Sequence, residues 1–106
     1  SLVPHFGDKA NTKVKELAVP PGGKLSMQRH QERSEHWFVA EGTATVYTLD
    51  SSSDVDLHGV FKQHQSLHIP VGQWHQLANE HDVDLKLVEI QYGTNCIEED
   101  IERKAT

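Results

Sequence analysis

From residue 13 to residue 92 the chain never sustains a helical period. Short runs of alternating or β-branched residues follow one another instead. Strands are expected near 13–19, 24–30, 35–41, 43–49, 55–62, 66–70, 74–79 and 84–92. Turn-forming clusters cut them apart: Pro20 to Gly23, Glu41-Gly42, Ser51 to Asp54 and Pro70 to Gly72. The stretch Thr43 to Thr48 is too rich in β-branched residues for a comfortable helix. Many short strands with this punctuation predict an all-β sandwich or barrel. One segment reads differently. Between Ile97 and Lys104, acidic residues lead and Arg103 and Lys104 follow, the order that suits a helix dipole, so a short C-terminal helix is expected there.

A chain of 106 residues is enough for one domain, taken here as 1–106, and too short for two. The formal net charge of −6 repels phosphate backbones, which argues against nucleic acid as a general partner. No apolar run approaches the roughly 20 residues of a membrane helix. The single cysteine, Cys96, excludes an internal disulfide and a Cys-rich zinc site, and makes a cytoplasmic location the expectation. The count that stands out is histidine, with 8 residues.

Strands alternate faces, so Ser26, Gln28 and His30 share one side of the second strand. After a tight turn the next strand opens with Glu35, so Gln28, His30 and Glu35 can converge across a hairpin. His75 follows the rigid Pro70–Gly72 corner, from which an imidazole can be aimed. Three or four nitrogen and oxygen ligands from different strands are what a catalytic divalent site needs. Plainer readings stand beside this one. A histidine on a strand is more often a satisfied polar residue, Glu35 can pair with Arg33 or Lys24 at the surface, and Trp37 and Trp74 suit core or rim packing. On the last long strand Leu85, Leu87, Glu89 and Gln91 share a face. If that face lines a barrel, Glu89 and Gln91 lie at one end of it.

The spacings resemble the two motifs of the cupin superfamily. The first reads Gly22-x5-Gln28-x-His30-x4-Glu35-x6-Gly42, and the second His64-x5-Pro70-x-Gly72-x2-His75-x3-Asn79. Gln28 stands where the general motif has a first His, and His64 where it has an opening Gly. The wording between the motifs is narrower still. Pro21 to His30, Ser34 to Trp37, Gly42 to Ala44, Ile69 to His75 and Val88 to Gln91 look like the type II mannose-6-phosphate isomerase cupin. The resemblance covers about residues 13 to 103 and implies a jelly-roll barrel, the cupin double-stranded β-helix. It accounts for Gln28 through the Gln-x-His pair of phosphomannose isomerases. It implies Gln28, His30, Glu35 and His75 as ligands of a divalent metal. Zinc is the expected ion; manganese, nickel and iron suit the same donors.

The resemblance further implies aldose–ketose isomerisation of a sugar phosphate. That chemistry needs a Lewis acid, a base that moves a proton between two carbons, and a cation for the phosphate. Glu89 is the expected base, or else a carboxylate that orients a ligand histidine. Gln91, Lys15 and Lys24 are the expected substrate contacts, with a solvated charge as the plain alternative for each lysine. A metal-binding cupin that holds a small sugar or acid without turnover is the second functional reading. Small cupins resemble one another in forming homodimers, and the outward Phe38, Val88 and Ile90 would suit that.

Overall fold

The computed structural model describes the backbone of residues 2–3 and, in full, residues 11–94, 96–97 and 99–104. Ten strands form two five-stranded antiparallel sheets. The first sheet runs β1 (Leu2–Val3), β2 (Thr12–Val19), β9 (Leu85–Gly93), β4 (Arg33–Glu41), β7 (Ser66–Ile69). The second runs β10 (Glu102–Lys104), β3 (Met27–Arg29), β8 (His75–Ala78), β5 (Ala44–Leu49), β6 (Val55–Phe61). The eight strands expected between residues 13 and 92 are all present.

The alternation in each strand decides what the interior contains. On β9 the buried residues are Leu85, Leu87, Glu89 and Gln91, while Lys86 is exposed and Val88 and Ile90 are half-buried. On β4 they are Arg33, Glu35, Trp37 and Val39. On β2 the inward set is Lys13, Lys15, Leu17 and Val19, with Glu16 and Ala18 exposed between them. Each strand is therefore polar in one inward half and apolar in the other. The polar half is N-terminal on β2 and β4 and C-terminal on β9. Antiparallel pairing then brings the polar halves to one end: Lys15 lies opposite Glu89, Glu89 opposite Trp37, and Gln91 opposite Glu35. The apolar halves make the core of Val19, Trp37, Val39, Ala44, Val46, Leu67, Ile69, Leu77, Leu85 and Leu87 at the other end. Each valine, leucine and isoleucine among them stabilises by about 1.5–3 kcal/mol when fully buried.

Two corners of the fold have clear causes. Gly42 sits between β4 and β5 at φ +85, and a Cβ there would lie 2.4 Å from the Asp84 carbonyl oxygen. Only glycine fits that close approach. Asn79 ends the second motif and is buried; its amide donates to the Val19 and Val83 carbonyls at 2.9 and 2.8 Å, and its oxygen accepts from the His81 amide. This residue ties three chain segments together away from the polar end.

The C-terminal helix expected over Ile97 to Lys104 is not formed, and the described residues contain no helix. Glu102 to Lys104 instead pair with β3, in the register Glu102↔Arg29, Arg103↔Gln28, Lys104↔Met27. A single short helix is marginal in water because nucleation is costly. Here the edge of β3 offers backbone partners, and Glu102 gains an ion pair with Arg29 at 3.1 Å.

Candidate functional site

His30, Glu35 and His75 meet at the polar end, all three buried, with one donor atom from each within 4.8 Å of the others. They arrive from three segments. His30 follows β3, Glu35 is on β4 and His75 opens β8. The Pro70–Gly72 corner locks two of these segments together: the Gly72 amide donates to the carbonyl of His30 at 2.7 Å.

Backbone carbonyls set the tautomer of both rings. His30 Nδ1 lies 2.7 Å from the Asp100 carbonyl oxygen, and His75 Nδ1 lies 2.9 Å from that of Gln73. A carbonyl only accepts, so each Nδ1 carries the hydrogen, and in the neutral ring Nε2 keeps its lone pair. Both Nε2 atoms face Glu35, at 3.1 Å from Oε2 for His30 and 3.8 Å from Oε1 for His75. Acceptor atoms this close repel one another unless a positive charge lies beside them, which the Arg33 guanidinium, a second proton on either imidazole or a bound cation can supply. Two ligand atoms each about 2.0–2.2 Å from one ion stand roughly 3–4 Å apart. The donor set, tautomers and separations therefore fit a divalent cation. Gln28 lies beside them: it pairs with His75 across β3 and β8, and its side chain lines the same cavity.

Glu35 gathers the polar contacts. Its Oε1 accepts from the Trp37 indole at 2.9 Å and its Oε2 from Arg33 Nε at 3.1 Å. Arg33 is itself buried and also donates to His30 Nε2 at 3.2 Å and, more weakly, to the Ile97 carbonyl at 3.4 Å. Pairing of Glu35 with Arg33 does occur, but in the interior rather than at the surface. Trp37 packs edge-on against the His75 ring at 5.5 Å.

Burial works to raise the Glu35 carboxyl, but its interactions with His30, Glu89 and His75 outweigh this and hold it well below the usual carboxylate range. Glu89 moves the other way. Burial first, then the charge of Glu35 and the hydrogen bond to it, lift Glu89 well above that range. Like charges this close cannot both ionise cheaply, so Glu89 holds the proton the pair shares. His75 is lowered, chiefly by burial, with the Glu35 charge opposing.

Gln91 donates to Glu89 Oε1 at 2.7 Å, which leaves its own carbonyl oxygen buried with no partner among the described residues. A buried acceptor of this kind asks for a hydroxyl or water donor. A cavity of about 190 Å³ opens on these groups, and its walls include Lys15, Gln28, Glu35, His75, Glu89 and Gln91. Seven of the eight residues expected from the sequence are thus brought to one end. Lys24 is not: it is exposed and lies outside the cavity wall. Trp74 stands at the rim between Arg29, at 4.7 Å, and Lys104, at 5.3 Å.

Sequence reasoning missed three contributors. Arg33 was expected at the surface, and Asp100 and Arg103 at the two ends of a helix. The period-two pattern Arg33–Glu35–Trp37 carried the signal for Arg33. Nothing local marks the other two, which depend on β10 reaching β3.

Known proteins resemble this chain over most of its length. The family model described as Mannose-6-phosphate isomerase C-terminal matches residues 5–105. The alginate biosynthesis protein AlgA of Pseudomonas aeruginosa is 40% identical over 90 residues, covering 85% of this chain and 18% of that protein. A mannose-1-phosphate guanylyltransferase of Escherichia coli is 41% identical over 92 residues, covering 87% and 18%. The chain thus spans under a fifth of the length of these relatives. Among solved structures, a Klebsiella pneumoniae protein with a double-stranded β-helix domain superposes with a TM-score of 0.77 at 17% identity, covering 100% of this chain and 83% of that one. A cupin-superfamily sugar phosphate isomerase of Silicibacter pomeroyi gives 0.64 at 20%, covering 78% and 51%. These two likenesses concern the fold, which is the cupin double-stranded β-helix.

Proposed function

Because the chain belongs to the Mannose-6-phosphate isomerase C-terminal family, we propose that it is the isomerase unit of a sugar-phosphate enzyme, interconverting mannose 6-phosphate and its ketose. The observation that carries this reading is the pairing of a cation-ready His30–Glu35–His75 cluster with a second, proton-holding carboxyl at Glu89. In this reading Gln28, His30, Glu35 and His75 hold a divalent ion, zinc in first place. When bound, that ion supplies Lewis-acid stabilisation of the negative charge that develops on the two substrate oxygens.

The proton traffic falls to the chain's own residues. Glu89, once ionised, takes the proton from C2 of the open-chain aldose and returns it to C1. The C1=C2 double bond of the enediol forms between the two transfers, and the C2 hydroxyl proton passes to the C1 oxygen as C2 becomes the ketone and C1 the alcohol. Gln91 orients Glu89 through its 2.7 Å hydrogen bond and offers its unpaired oxygen to a sugar hydroxyl. Lys15, half-buried across from Glu89, is placed to meet the phosphate. Trp37 and the apolar core behind it exclude water from the deep side.

A homodimer belongs to the same proposal, with the exposed Phe38 among the side chains a second copy would cover; sedimentation over a concentration series tests it. So does a cytoplasmic setting, consistent with the free thiol of Cys96. The central test is a coupled assay with mannose 6-phosphate on metal-loaded chain, beside His75→Ala. Turnover well above the His75→Ala background is expected. Its absence, with metal binding retained, sinks the isomerase reading and leaves a metal-binding module.

A further inference from the structure

We propose that Arg103, carried on β10, forms an anion subsite with Lys15 across the mouth of the cavity, and that this subsite takes the phosphate of a small hydroxylated phosphate ester. The inference deepens the reading above and rests on it for the sugar part of the ligand.

The chain is acidic overall, yet three cationic side chains, Lys15, Arg33 and Arg103, line this one cavity. Arg33 is committed: it is buried, and it spends its donors on Glu35, His30 and the Ile97 carbonyl. Arg103 is different. Its side chain is exposed and makes no hydrogen bond or ion pair among the described residues. Its neighbours on β10 face the other way, Glu102 onto Arg29 and Lys104 onto Trp74. Strand alternation therefore turns Arg103 to the cavity side, in register with Gln28, which in turn pairs with His75.

Lys15 belongs to the first sheet and Arg103 to the second, so the two cations stand on opposing walls. Two separate cations suit a phosphate monoester, which carries about −1.5 to −2 charge near neutrality, better than a single carboxylate. A guanidinium also matches two phosphate oxygens at once. At the inner end, the unpaired Gln91 oxygen asks for a donor. The cavity thus reads as anion outside and hydroxyl inside, which is the polarity of a sugar phosphate.

The placement of Arg103 is itself built. The Asp100 carboxylate accepts from the amides of Gln31 and Glu32 at 2.9 and 2.8 Å, and Glu102 accepts from Gln31 at 2.7 Å. These contacts hold the segment that delivers β10 to the rim.

The test is calorimetric titration of the metal-loaded chain with mannose 6-phosphate, inorganic phosphate and mannose. The variants are Arg103→Gln, Arg103→Lys and, as an exposed-cation control, Lys24→Gln. Losing a charge-assisted contact should weaken mannose 6-phosphate and phosphate about 10–100-fold in Arg103→Gln. Arg103→Lys should restore part of the loss, Lys24→Gln should match wild type, and affinity for mannose should not change. In turnover, KM should rise while kcat stays within a few-fold. Unchanged phosphate affinity in Arg103→Gln, or an equal loss for mannose, overturns the subsite. If the subsite fails, wild-type turnover survives with an unaltered KM in Arg103→Gln. If the isomerase reading fails instead, Arg103-dependent phosphate binding persists in a chain that turns nothing over.

Discussion

Glu35→Gln is the substitution that most directly probes the polar end. The change keeps volume and removes one charge from a buried carboxylate that accepts from Trp37 and Arg33. Arg33 is only 5% exposed and would keep its charge without its partner. Removing one member of a buried pair costs about 3–5 kcal/mol. Two features pull the expectation to the lower end. The amide oxygen still accepts one of the two hydrogen bonds. Glu89, no longer raised by the Glu35 charge, ionises more readily and faces the same guanidinium from β9. The expected loss in chelator-treated protein at pH 7 is therefore about 3 kcal/mol. That is a large part of the roughly 5–15 kcal/mol a domain this size commands, and it lowers the thermal midpoint by roughly 10–20 °C. Urea unfolding with a chelator present measures it. The double variant Glu35→Gln/Glu89→Gln removes the compensation, so its loss should exceed the sum of the single losses. A Glu35→Gln chain within about 1 kcal/mol of wild type, with additive behaviour in the double variant, would refute the account of Glu35 as the partner that neutralises Arg33.

Further expectations concern the same groups and one corner. His75→Ala and His30→Ala should each lower divalent-ion affinity by at least tenfold in equilibrium dialysis, whereas His81→Ala, exposed on a loop, should leave it unchanged. Between pH 4.5 and about 8 the folded chelator-treated chain holds a proton at Glu89 that the unfolded chain has lost, so this group's contribution to stability declines as pH rises across that window. His75 acts oppositely below about pH 6.5, where the unfolded chain takes up a proton the folded one resists, so stability falls as pH falls there. Urea midpoints between pH 6.5 and 8.5 should therefore slope downward in wild type and flatten in Glu89→Gln; an equal slope in both removes Glu89 as the cause. The same Glu89→Gln change should cut isomerase kcat by about 10²–10⁴-fold while metal affinity stays within a few-fold. Gly42→Ala should cost more than about 1 kcal/mol, since its methyl group meets the Asp84 carbonyl in a left-handed backbone conformation; circular dichroism melts read the loss.

Much of the fold was legible because it rests on local pattern. Period two on β2, β4 and β9, with glycine and proline at the corners, is enough to locate the strands and their inward faces. The same pattern named Glu89 and Gln91 as neighbours at one end, since both follow Leu85 and Leu87 on a single face. The candidate site residues were legible for a different reason. A hairpin brings His30 near Glu35, and the resemblance to the cupin motifs added His75 to them. The helix expected near the C-terminus failed because charge order along a short segment is weak beside an available sheet edge. Arg33 was misjudged because a charged residue next to a turn looks solvated until the inward alternation is followed through Trp37.

Sequence alone determined the strands and their buried faces, because each follows from backbone periodicity and turn chemistry over a few residues, and the resemblance to the cupin motifs named the four candidate donors. Only the tertiary structure decided the rest. It set which imidazole nitrogen faces Glu35, through the carbonyls of Asp100 and Gln73. It separated Glu35 from Glu89 into an ionised and a protonated carboxyl, through burial and mutual charge. It also carried Arg103 to the rim by pairing β10 with a strand more than 70 residues earlier in the chain. Those outcomes depend on long-range contacts and on the electrostatics of a shared interior, neither of which is a property of any short stretch of chain.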